Sequence, residues 1–140
     1  MTLSNRYYIY VDASLQGWAF VLYSANLGRD NKLKLDSLTG IKFELSNHGK
    51  WDEKLTNNEA EYKAMIIALE FCYEYGINEL VVFTDSEIVE LQMKGIYKVK
   101  KPELFALCNM AKEVFQKFPV RGLYHVKGID NPADDLTRLK

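Results

Sequence analysis

The chain has 140 residues, 48% of them hydrophobic, enough for one sizeable core and too few for two ordinary domains, so a single domain over residues 1–140 is expected. The formal net charge of −1 excludes a global electrostatic footprint for nucleic acid. A local one remains, because Lys94, Lys98, Lys100 and Lys101 fall close together.

The polar start, residues 1–6, runs straight into residues 7–11, Tyr-Tyr-Ile-Tyr-Val, an aromatic and β-branched strand that ends at Asp12-Ala-Ser. Residues 18–23 read as a second strand. Residues 41–45 read as a third, alternating apolar positions with Lys42 and Glu44, and residues 24–39 form a polar connection. His48 and Trp51 read as loop cover ahead of a helix. Thr56 is a good N-cap, Glu59 completes a capping box, and residues 60–75 are rich in helix formers until Gly76 stops them. Met65, Leu69 and Cys72 are spaced to pack inward. Residues 80–84, Leu-Val-Val-Phe-Thr, read as a central strand covered on both faces and end on Asp85. Residues 86–94 read as a helix closed by Gly95, and Pro102 or Glu103 opens another that runs to about residue 117. Residues 122–126 form a strand, and Asn131-Pro132 opens a last short helix over residues 133–139.

The order βββαβααβα predicts an α/β fold, a five-stranded mixed sheet flanked by helices on both faces. Cys72 and Cys108 lie in helical segments without partners at metal-ligand spacing, so both should be reduced and buried. The longest apolar runs fall far short of the roughly 20 residues a membrane span requires. A cytoplasmic protein with no membrane partner, working as a monomer, is expected.

Asp12 and Asp85 each close an apolar strand, and Glu61 lies at the start of the helix that must pack near them. Three acids at one sheet edge would repel one another strongly unless a cation neutralised them. Hard oxygen ligands of this kind suit Mg²⁺, with Mn²⁺ as a substitute.

Four blocks occur in order: Tyr-Ile-Tyr-Val-Asp12-Ala-Ser, Thr56-Asn-Asn-Glu-Ala-Glu61-Tyr, Phe-Thr-Asp85-Ser86 and Asn131-Pro-Ala-Asp134-Asp135-Leu. Together they resemble the signature blocks of type I ribonuclease H, over nearly the whole chain. The short Gly95-Ile-Tyr-Lys-Val-Lys segment is similar to archaeal-type and retroelement-like members. The resemblance implies a ribonuclease H-like fold and an endoribonuclease that hydrolyses the RNA strand of RNA–DNA hybrids, leaving 5′-phosphate and 3′-hydroxyl ends. It implies two metal ions roughly 4 Å apart. Asp12 would bridge both, Glu61 and Asp85 would hold the ion nearer the leaving group, and Asp134 the ion that activates water.

The motif selects Glu61 over Glu59, which fits the cap. Asp134 and Asp135 point about 100° apart on a helix, so one of them faces the ions, and the Ala-Asp-x-Leu pattern selects Asp134. Asn57 and Asn58 suit reading a hybrid's minor groove and 2′-hydroxyls, or forming an ordinary polar turn. Ser86 either caps the next helix or meets a ribose. Lys54 and Thr56 match a phosphate-pocket position. Tyr97, Lys98, Lys100 and Lys101 either form a solvated basic turn or lie along a nucleic-acid backbone. The histidine that related enzymes carry in their last loop is replaced by Ile129, while His125 sits inside the strand and should act through packing. Two other readings compete: a broader enzyme that also cuts double-stranded RNA, and a catalytically silent hybrid-binding module. Retention of all four acids argues against the second.

Overall fold

A computed structural model of the chain describes residues 6–25 and 41–134. The expected connection beyond Ala25, the alternation at Lys42 and Glu44, Asp135 and the last helix beyond Asp134 lie outside the described residues and side chains.

Five strands form one sheet: β1 (Arg6–Ala13), β2 (Gly17–Ala25), β3 (Ile41–Lys50), β4 (Glu79–Thr84) and β5 (Val120–His125), in the order β3-β2-β1-β4-β5. The β1/β2 and β2/β3 pairs are antiparallel, whereas β1/β4 and β4/β5 are parallel. The β1–β2 hairpin needs only a short turn. The parallel steps need crossovers, supplied by α1 (Asn57–Tyr75), then by α2 (Glu87–Met93) and α3 (Pro102–Phe115).

Local chemistry fixes the boundaries. Thr56 Oγ1 accepts from the Glu59 backbone N–H at 3.2 Å, and the Glu59 carboxylate accepts from the Thr56 N–H at 3.0 Å, so the expected capping box forms and α1 starts at Asn57. Gly76 ends α1 at φ 90°, a backbone state that other residues enter only with strain. β3 is five residues longer than expected, which corrects the reading of His48: it is an exposed strand residue paired with Ala19, not loop cover. The cross-strand ladder overrides a weak β signal in Ser46-Asn47-His48. At the far end, residues 132–134 form a turn where the last helix was expected to open.

Strand alternation sorts the core into two faces. Ile9, Val11, Phe20, Leu22, Leu80, Val82 and Leu123 pack with Met65, Leu69 and Cys72 of α1, Val89 of α2 and Cys108 of α3. Each such fully buried aliphatic side chain contributes on the order of 1.5–3 kcal/mol. The opposite face carries Tyr8, Tyr10, Val21, Val81 and Phe83, with Ala133 from the C-terminal segment against them. Both cysteines are buried and free, as expected. Among the described residues no helix is long and apolar enough to cross a membrane.

Candidate active site

The same alternation delivers the acids. Tyr10 of β1 pairs in register with Phe83 of β4, their rings stacked 4.6 Å apart between centroids. Two residues further along stand Asp12, within β1, and Asp85, the first residue past the end of β4. Both rings are buried, and Asp12 is only 3% exposed. Glu61 reaches the same edge from the start of α1, so that one ligand oxygen from each of Asp12, Glu61 and Asp85 lies within 4.8 Å of the others.

Such crowding is electrostatically unfavourable. Burial, then the neighbouring charge of Asp85, pushes the Asp12 carboxyl up to about 8. Burial, then the charges of Asp85 and Asp12, pushes Glu61 to about 9. Burial also raises Asp85. Hard oxygen donors that resist being charged together fit a divalent cation, whose field would reverse all three shifts.

Asp134 arrives from the far end of the chain. Buried Asn131 donates from Nδ2 to the Val11 carbonyl at 3.0 Å and accepts the Ala133 N–H at 2.9 Å, pinning the turn beside Asp12. The Asp134 side chain lies in hydrogen-bond reach of Asp12, and its charge adds to the strain on Asp85.

The other expected contact residues are spread around this cluster. Asn57 is exposed and Asn58 half-buried, both in the first turn of α1, and Lys54 is exposed just before it. Thr56 spends its hydroxyl on the cap. Ser86 likewise caps α2, accepting the Val89 N–H at 3.2 Å, which favours the first of its two readings. Gly95, at φ 79°, turns the chain out of α2. Half-buried Val99 anchors the following loop on the core, and Tyr97, Lys98, Lys100 and Lys101 stay exposed around it.

Four residues matter more than the sequence suggested. Trp51 donates from Nε1 to the Ser14 carbonyl at 2.9 Å, tying the turn after Asp12 to the end of β3; it is a strut, not loop cover. Asn131 is a buried hinge pin, not simply a helix opener. Gly128 passes so near that a side chain there would meet the Asp85 carboxylate at 3.4 Å. His125 is exposed, with Nε2 3.2 Å from the Asp85 backbone oxygen, so it does not act through packing. Ile129, 92% exposed, stands on the short turn Gly128–Asp130 that follows. A His in register with Thr84, the residue before an acid, was the available signal.

A mixed sheet of this order, with acids ending its two central parallel strands, defines a ribonuclease H-like fold. The profile of the reverse transcriptase-like family matches residues 42–138, and the chain belongs to that family, the ribonuclease H kinship that its four blocks imply. It is 33% identical over 82 residues to a ribonuclease HI of Halobacterium salinarum, a match covering 59% of this chain and 41% of that protein. The matched stretch thus spans less than half of that relative's length. The crystal structure of the RNase H1 from the same archaeon superposes with a TM-score of 0.66 at 24% identity, covering 94% of this chain and 92% of that one. A compost-derived RNase H1, crystallised in complex with an RNA/DNA hybrid, superposes at 0.62 with 25% identity and the same coverage.

Proposed function

We propose that the chain is a single-domain endoribonuclease that hydrolyses the RNA strand of RNA–DNA hybrids, leaving 5′-phosphate and 3′-hydroxyl ends. The observation that carries this reading is the convergence of Asp12, Glu61 and Asp85 oxygens within 4.8 Å at one sheet edge. The hybrid-bound compost enzyme supports the substrate. On this reading the protein works as a cytoplasmic monomer with Mg²⁺, or Mn²⁺ in its place.

Asp12, Glu61, Asp85 and Asp134 would hold the ions, which when bound supply an activated water and stabilise the departing oxygen. The chain's own contribution is placement. The burial of Asp12 keeps water from most of its carboxylate, which strengthens the charge interactions there. Asn131 and Trp51 fix the two segments that flank Asp12. Asn57 and Asn58 offer amides to the hybrid's minor groove, while Lys54 and the α1 N-terminus at Thr56 face a phosphate. Incubation with matched hybrid, RNA duplex and DNA duplex tests the proposal: the RNA of the hybrid should be cut to 5′-phosphorylated products. An intact hybrid would overturn it, and cutting of the RNA duplex would establish the broader specificity.

Two further outcomes are expected. Replacing Lys98, Lys100 and Lys101 together by Ala should raise KM for the hybrid and flatten the salt dependence of binding by up to about three counterion units. An unchanged slope in a salt titration would return the loop to a solvated turn. His125→Ala should lower the single-turnover rate on the order of tenfold with little change in KM, because the Asp85 backbone loses its brace. His125→Gln, which keeps a donor, should restore part of that loss. Equal rates for all three proteins would show that the contact is incidental.

A further inference from the structure

Away from the acids, the exit of α2, the lysine loop and α3 enclose an open groove of about 360 Å³. Its floor is Gln92, 8% exposed, whose amide oxygen accepts the Tyr62 hydroxyl at 2.6 Å and whose Nε2 lies 3.5 Å from the Lys98 carbonyl. Gln92 thus links Tyr62 of α1 to the backbone of the lysine loop. The groove's walls include Tyr97 and Phe105, 50% and 55% exposed. Among the described residues the charged side chains lining it are Lys98 and Lys112, with Asn109 as a neutral donor and acceptor, and no acid lines it.

Half-exposed aromatic faces set between cations, over a polar floor, are the elements that hold an unpaired nucleic-acid strand: bases stack on rings and phosphates meet lysines. A duplex offers no free base face to such a cleft. The groove lies at the C-terminal end of α2 and Asp85 just before its N-terminus, a separation of about 10 Å along the helix. We propose that this groove binds single-stranded DNA, the unpaired extension of the DNA strand of a hybrid. DNA is the better occupant because, on the function proposed above, the RNA strand is consumed while the DNA strand persists through successive cuts. The inference rests on that reading for the origin of the strand, and its binding chemistry does not.

The experiment has two arms. In the first, a fluorescein-labelled oligo-dT of twelve nucleotides is titrated with the full chain in EDTA and read by anisotropy, so no nuclease activity is needed. The wild type should bind with a steep salt dependence. Phe105→Ala should weaken binding about fivefold or more, and Lys112→Gln should weaken it and flatten the salt slope. Both residues lie on the accessible side of α3, with Phe105 exposed and Lys112 half-buried, and circular dichroism checks the fold of each variant. In the second arm, cleavage of a blunt hybrid is compared with cleavage of the same hybrid carrying a DNA extension. The extension should lower KM in the wild type and do nothing in Phe105→Ala, with blunt cleavage equal in both. Absence of oligo-dT binding at low salt, equal binding by Phe105→Ala, or tighter binding of oligo-rU or oligoglutamate would each overturn the proposal. Failure of hybrid cleavage with anisotropy as expected would instead overturn the nuclease reading alone.

Discussion

Asp12→Asn should reduce hybrid cleavage by on the order of 10³-fold or more while leaving the fold intact. Asp12 is the most buried of the acids, within reach of both Asp85 and Asp134 and beside Glu61. The substitution preserves shape and removes one of the charges that would hold both ions. Single-turnover cleavage in Mg²⁺, with thermal melting in parallel, separates the two consequences. A rate within tenfold of wild type would sink the metal-centred mechanism. A collapse of the melting temperature would make Asp12 a structural residue instead.

The second large effect is on stability in chelator. Asp12 and Glu61 are held at about 8 and about 9 in the folded protein, against roughly 4 in an unfolded chain. Between those limits the folded state keeps protons that the unfolded state has released. Stability should therefore be greatest at and below about pH 4, as far as these two groups are concerned, and fall as pH rises from there towards 9. Added Mg²⁺ or Mn²⁺ should oppose the fall, because the ion binds the ionised acids of the folded state alone. Asp12→Asn should shallow the slope by removing one titrating group and relieving Glu61. Melting at pH 5, 7 and 9, with EDTA and with ion, measures all of this. A melting temperature that climbs over this range in EDTA would contradict the crowding of the acids.

Much of the fold was legible because its strongest signals are local. The Thr56–Glu59 box and Gly76 bracket α1, and the apolar run ending at Asp85 marks β4. Asp12, Glu61 and Asp85 could be grouped because strand ends and a helix start bring them to one edge by topology alone. The misread residues depend on partners far away in sequence. His48 joins β3 because β2 lies alongside, Trp51 reaches Ser14, and His125 reaches Asp85 across forty positions. No periodicity encodes a side chain that bonds to another segment's backbone carbonyl. Asn131 shows this most clearly, since Asn-Pro reads equally well as a turn or a helix opening whether or not the amide is buried against Val11.

That last bond also sets an order of events. Asn131 and Val11 are 120 residues apart, so the bond closes a loop of nearly the whole chain. The β1–β2 hairpin and α1 can form early from near neighbours, whereas Asp134 cannot take its place until the segment after β5 has been made and has crossed the ends of β4 and β1. During synthesis the four acids would therefore meet last, over a sheet already able to bear their repulsion. A nascent chain stopped short of residue 131 would carry the five-stranded sheet and three of the acids without the fourth.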